Sequence, residues 1–311
     1  MDKKTFLQSL RNIQRLPSKI DINFDESRKI LYIGVDSLSV CKNMQEDASA
    51  FEGWIFCIYA NRKREIERVI LSWDIPQIKN LHYKRFLYRV LKMQEHFLWF
   101  APSENNVADI MDFKDSVYTA GNLFLNYPQN DSKTENIKEK TEAYFERAFL
   151  DPENLFLNTS FDVCNHQLPV GIFRDKVDKE HGLFPYGKSA IDLWAIKADE
   201  LWIFELKYNN KKVGIISELL FYLWIMEDLC FHHRIRYDLQ KEIPSIRDFD
   251  KFYSAVQKNI STIYGVLLVD DLHPAITSEL IDFINQENCN KQIIVKTQKY
   301  MSPIGEYAKK W

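Results

Sequence analysis

Two apolar runs parted by one polar break dominate the hydrophobic pattern of this chain. They are Ala190-Ile191-Asp192-Leu193-Trp194-Ala195-Ile196 and Leu201-Trp202-Ile203-Phe204-Glu205-Leu206-Lys207. Runs this apolar predict strands covered on both faces, and Lys197-Ala198-Asp199-Glu200 predicts the hairpin turn between them. If the chain reverses between Ala198 and Asp199, residues whose numbers sum to 397 lie opposite each other, so Asp192 faces Glu205. Directly opposed Cβ atoms are about 4.5–5.5 Å apart. Glu205 and Lys207 are two positions apart and share a face of the strand.

Elsewhere the pattern predicts helices over residues 5–15, 64–73 and 81–100, and strands over 29–35 and 54–59. Glu142 to Asp151 predicts a helix stopped by Pro152, and Val213 to Trp224 predicts another. Ile263 to Val269 and Gln292 to Val295 predict strands joined by a helix ending near Ile284. The most linker-like stretch is Asn126-Tyr127-Pro128-Gln129-Asn130-Asp131-Ser132-Lys133. It predicts a small α/β or α+β module over 1–128, suited to gripping substrate or to dimerisation, and a second domain over 129–311.

Charges inside such apolar strands are costly unless paired or metal-bound. Asp192, Glu205 and the carbonyl of Leu206 offer oxygen ligands to a hard divalent cation, Mg²⁺ or Mn²⁺. Such a cation polarises a phosphate and acidifies a bound water, and Lys207 would orient that water and offset charge on the phosphoryl oxygens.

An Asp, a short hairpin and then Glu-x-Lys resemble the PD-(D/E)xK nuclease superfamily, with Ile191 in place of the Pro. Within it the match looks closest to the NucS-type catalytic domain, which cleaves mismatches and flaps. The resemblance covers roughly residues 130–300. It implies a restriction-endonuclease-like αβββαβ core with a mixed central sheet, hence an α/β fold, and it carries a catalytic, metal-holding glutamate over to Glu142. On a helical wheel Glu142 borders the stripe of Phe145 and Phe149, about 60° from Phe145, whereas Glu146, the reserve candidate, lies at about 100°. The family's Gln-Leu-Leu-x-Tyr helix is matched at Tyr222, but Glu218 stands where the family has Gln.

The net charge of −3 does not by itself favour nucleic acid, but its distribution does. Nine basic residues against three acidic fall between Arg62 and Lys92. Lys84, Arg85, Tyr88, Arg89, Lys92 and His96 share one face of a predicted helix, which reads as a phosphate-tracking stripe or as a solvated face. Lys188 and Lys211-Lys212 flank the hairpin and read as further phosphate contacts or as ordinary solvated lysines. Asp270-Asp271 reads as a second acidic site or a solvated turn, and Glu227, Asp228 and His232 as neighbours at helical spacing. No Gly-rich phosphate loop argues for an ATPase.

No run of 18 apolar residues or signal-peptide core is present, and five scattered cysteines suggest neither zinc nor disulfides. The expectation is a cytoplasmic protein without membrane partners, a homodimer being compatible. The sequence reads as an Mg²⁺-dependent DNA endonuclease of repair, restriction or defence. It leaves open a catalytically decayed nucleic-acid-binding or assembly protein on the same fold, and an RNA-directed nuclease.

Overall fold

Alternating burial along the chain organises two compact units of helices and mixed sheets, an α/β fold, in the computed structural model, which describes residues 3–13, 15–119, 122–129, 138–151, 160–186, 189–238 and 243–300. In chain order the first elements are α1 (Lys3–Gln8), β1 (Ile20–Asp25), β2 (Ile30–Val35), α2 (Phe51–Arg62), β3 (Arg68–Trp73), α3 (Leu81–His96), β4 (Phe100–Pro102) and α4 (Glu104–Lys114). They form a four-stranded sheet of order β1-β2-β3-β4, antiparallel at the β1–β2 hairpin and parallel beyond it. The hairpin turns because the Asp25 carboxylate accepts the N–H groups of Ser27 and Arg28, each at 3.1 Å.

Two expected elements are corrected here. Residues 54–59, read as a strand, lie inside helix α2. The run is apolar on nearly every side, and a helix buried all round has no period to betray it. Residues 64–73, read as a helix, instead end in strand β3, where Val69, Leu71 and Trp73 are buried in alternation. The expected helix over 81–100 stops at His96.

Next come β5 (Leu123–Leu125), α5 (Glu142–Leu150), β6 (Val163–Pro169), β7 (Ile172–Arg174), β8 (Ala190–Lys197), β9 (Glu200–Lys207), α6 (Gly214–Cys230), β10 (Ile235–Tyr237), α7 (Phe249–Lys258), β11 (Thr262–Val269), α8 (Ser278–Glu287) and β12 (Ile293–Lys299). A five-stranded sheet runs β12-β11-β9-β8-β6, and a three-stranded one β10-β5-β7. β6, β8 and β9 form an antiparallel meander, whereas β9, β11 and β12 are parallel. With β7 and β10 set aside in the three-stranded sheet and α7 inserted before β11, the elements α5, β6, β8, β9, α6 and β11 follow in αβββαβ order around a mixed sheet.

Alternation assigns the two faces of that sheet. Phe145 and Phe149 of α5 pack with Leu193, Ala195, Trp202, Phe204, Leu206, Val266 and Leu268. Residues of the opposite parity face the other way: Trp194 meets Phe252 of α7 edge-on at 5.1 Å, and Gly265 lies under Leu223 of α6. A Cβ at Gly265 would come within 2.7 Å of Leu223, so the missing side chain lets the helix sit close to the strand.

The units do not divide at a single cut near residue 128. The first comprises Met1–Gly121, Lys212–Glu218 and His273–Lys291; the second comprises Asn122–Lys211, Leu219–Leu272 and Gln292–Trp311. The chain returns twice to the first unit, giving it the first turn of α6 and all of α8. α8 supplies Phe283, whose ring lies 5.3 Å from that of Tyr59 in α2.

The basic stripe of α3 is also corrected. Arg85, Tyr88, Arg89, Lys92 and His96 are all buried, and Lys84 is half-buried. Arg89 makes a bidentate pair with the buried Glu52, donates to the Ser49 carbonyl at 2.6 Å and lies over the Phe51 ring. Lys92 pairs with Glu95 at 3.6 Å, Arg85 donates to Asn43 at 3.1 Å, and His96 meets Asn288 at 2.9 Å. These cations are consumed inside the unit, where aliphatic stems and bidentate pairs offset their desolvation. Arg89→Met is expected to cost about 3–5 kcal/mol by stranding Glu52. Adding Glu52→Met should recover most of that loss, as read from urea unfolding midpoints.

Candidate active site

The predicted hairpin register is present. Lys197 pairs with Glu200 and Leu193 with Phe204, so opposed residues sum to 397, and the turn is Ala198-Asp199. Ala198 has φ 53°, a conformation more usual for Gly or Asn, and the Asp162 carboxylate accepts its N–H at 2.6 Å. The paired residues stop at Leu193 and Phe204, one step short of Asp192 and Glu205. There Asp192 Oδ2 accepts the Leu206 N–H at 2.9 Å. A side chain thus takes a backbone donor at the edge of the ladder, which orients the carboxylate.

The other neighbour of β8 skips one pair at the same level without changing register. The β6–β8 ladder passes from His166↔Leu193 to Leu168↔Ile191, and Gln167 between them has φ 49°. Arg247 donates to the Gln167 carbonyl at 3.0 Å, and the Gln167 side-chain amide donates to both Glu146 oxygens, at 2.9 and 3.0 Å. A strained non-glycine backbone beside Asp192 is the kind of irregularity that clusters at functional sites.

Lys207 gathers the cluster. Its Nζ pairs closely with Glu205 Oε1, lies 3.9 Å from Glu142 Oε2 and 4.0 Å from Asp192 Oδ2. The side chains run from the interior to solvent: Glu205 is 1% exposed, Lys207 8%, Asp192 18% and Glu142 41%. Glu142 opens α5, where Thr141 caps the helix by accepting the Tyr144 N–H at 3.3 Å and an acidic residue favours the helix dipole. The buried Tyr300 hydroxyl donates to the Lys207 carbonyl at 3.0 Å, while its ring packs on Phe145 and Phe149. Tyr300 therefore ties the end of β9 to the helix that carries Glu142.

In formal charges, three carboxylates around one ammonium leave two negative charges at a half-buried strand end. The donors are all oxygen, which suits a hard divalent cation over a soft one. Glu142, Asp192 and Glu205 are the carboxylates that would offer it ligands, although among the described residues only Glu227, Asp228 and His232 bring three ligand atoms within 4.8 Å of one another. Leu206, expected to offer its carbonyl, joins the cluster through its N–H.

The remaining candidates fall outside this group. Glu146 is buried and held by Gln167, with His166 Nδ1 3.6 Å away. Glu218 belongs to the first unit, where the Gln45 amide donates to it, and Tyr222 is buried in α6. Lys188, Pro152 and residues 130–133 lie outside the described residues. Asp270 accepts the Asn209 N–H at 3.0 Å, and Asp271 pairs with Lys211 at 2.6 Å and Lys299 at 2.9 Å. These bonds close a turn, and the two lysines hold the Asp271 carboxyl well below the usual carboxylate range. Glu227, Asp228 and His232 do meet, with ligand atoms within 4.8 Å of one another, but Asp228 is also 3.3 Å from Arg234. Sequence reasoning missed Thr141, Gln167, Arg247 and Tyr300. Only Thr141 carried a signal, the Ser/Thr-type residue just before an apolar-periodic helix.

Set against protein-family models, curated proteins and solved structures, the chain matches none. Among the described residues no helix is long and apolar enough to cross a membrane.

Tyr300→Phe, which removes only the hydroxyl bond to Lys207, should cost about 1 kcal/mol of stability. Tyr300→Ala, which also empties the space between Phe145 and Phe149, should cost about 3–5 kcal/mol. Chemical denaturation of both variants separates the two contributions.

Proposed function

We propose that this chain is a metal-dependent phosphodiester hydrolase, a DNA endonuclease of the PD-(D/E)xK type serving repair, restriction or defence. The observation that carries the reading is the convergence of Glu142, Asp192 and Glu205 on Lys207 at the end of the central strands. The αβββαβ order and the bonded Asp192 support it. A divalent cation bound to these carboxylates supplies charge neutralisation at the phosphate and an acidified water.

The chain's own groups do the rest. Asp192 is held in one orientation by the Leu206 N–H, so little reorganisation accompanies substrate binding. The Lys207 ammonium presents positive charge where the attacking water and the phosphoryl oxygens gather negative charge. Glu205, almost fully buried, keeps that ammonium in place. Glu142, the most open of the four, is the carboxylate best placed to meet solvent and substrate.

The test is cleavage of single-stranded, duplex, branched and mismatched DNA, and of RNA, with Mg²⁺, Mn²⁺ or EDTA. Metal-dependent cleavage of DNA is expected, reduced about 10²–10³-fold or more in Lys207→Ala and Glu205→Ala. Asp192→Asn should lose activity while keeping its fold, because the amide oxygen still accepts the Leu206 N–H. Unchanged cleavage in Lys207→Ala would overturn the assignment. Cleavage confined to RNA would replace the substrate, and binding without cleavage would favour an inactive nucleic-acid-binding protein on this fold.

A further inference from the structure

We propose that the cavity lined by Asn126, Tyr127, Gln129, Phe173, Tyr186 and Arg247 seats one unstacked nucleobase of the DNA strand being cut, a proposal that rests on the nuclease reading above. The cavity measures about 450 Å³, within the range of small-ligand sites. Its walls combine three aromatic rings with two carboxamides and a guanidinium. Rings accept the face of any base, while amides and guanidinium meet its polar edge and the adjoining phosphate.

The walls are fixed before any ligand arrives. Tyr186 packs on Phe173 with ring centroids 4.9 Å apart and lies against Gly171 and Gly182. A Cβ at Gly171 would come 2.7 Å from that of Tyr186, and one at Gly182 would collide with its ring, so both glycines keep the ring where it is. Tyr127 stacks on Phe249 at 5.7 Å. Gly171 donates its N–H to Asn126 Oδ1 at 2.8 Å, which fixes the carboxamide with its NH₂ as the remaining donor. Asp178, the acidic group on the rim, is turned into its own loop by His181 at 2.6 Å and Lys176 at 3.2 Å.

The cavity also adjoins the candidate active site. Pro169, on its wall, pairs with Ala190, two residues before Asp192 on β8. That is about 7 Å along one strand and about 5 Å across to the next. Arg247 lines the cavity and donates to the carbonyl of Gln167, at the ladder break beside Asp192. A strand whose phosphate lies at Lys207 would place a base at Tyr186 by letting that base leave its stack.

The experiment uses the full chain in EDTA, with 2-aminopurine placed at successive positions of a single-stranded DNA oligonucleotide. Quenching is expected at a narrow set of positions, and not when those positions are paired in a duplex. Tyr186→Leu should abolish the quench and weaken binding about tenfold, whereas Tyr186→Phe, which keeps the ring, should retain both. Gln129→Ala, at an exposed position, should shift which base is preferred without loss of folding. Equal quenching and affinity in Tyr186→Leu and wild type would overturn the proposal even if the protein cleaves DNA. Free 2-aminopurine deoxynucleoside monophosphate bound as tightly as the oligonucleotide would also overturn it, reassigning the cavity to a free nucleotide. A Tyr186-dependent quench in a protein that cleaves no polymer would support the pocket while sinking the nuclease reading.

Discussion

One ammonium surrounded by carboxylates is the constraint on which the second unit turns. Lys207 and Glu205 belong to the central strand of a mixed sheet, where both are almost wholly removed from water. Neither charge is tolerable there alone, since stranding a buried partner costs several kcal/mol. The same requirement draws in Asp192 and Glu142, from a neighbouring strand and from the first turn of α5. Packing carries the constraint outward: Tyr300 holds the β9 backbone at Lys207, and its ring buttresses α5 through Phe145 and Phe149. The polar cluster and the aromatic core beneath it are parts of one arrangement.

The sheet accommodates this cluster by giving up regularity on both sides of Asp192. On one side the ladder ends and the Asp192 side chain takes the Leu206 N–H. On the other, Gln167 leaves the extended conformation, and Arg247 and Glu146 take up its carbonyl and amide. Buried backbone groups released from a ladder need new partners; here the Gln167 carbonyl finds Arg247 and the Leu206 N–H finds Asp192, while Glu146 holds the Gln167 side-chain amide. The irregularity thus links the carboxylate cluster to the cavity that Arg247 lines.

The first unit uses charge differently. Along α3, Arg89, Lys92 and Arg85 are spent on Glu52, Glu95 and Asn43 within the unit's own interior. This helix lends no open cationic face to a phosphate backbone. A grouping of basic residues in sequence reports only where charge is concentrated. Whether that charge meets solvent depends on which acidic and carbonyl groups the tertiary fold brings over it.

The sequence by itself determined the hairpin, its register and the triad of Asp192, Glu205 and Lys207, because two apolar runs joined by one short polar break leave a single place for the turn, and the turn decides which residues lie opposite each other. It also determined α5 through the Phe145–Phe149 stripe, and the β11–α8–β12 succession. It could not tell the buried helix α2 from a strand, since an unbroken apolar run has no period. It could not show that the α3 cations face inward, because their partners Glu52 and Asn43 lie about forty positions away. The left-handed Gln167, the Tyr300 tie and the cavity beside the site were decided by tertiary structure alone. Each depends on contacts between segments distant in the chain, and no local pattern encodes which groups will meet.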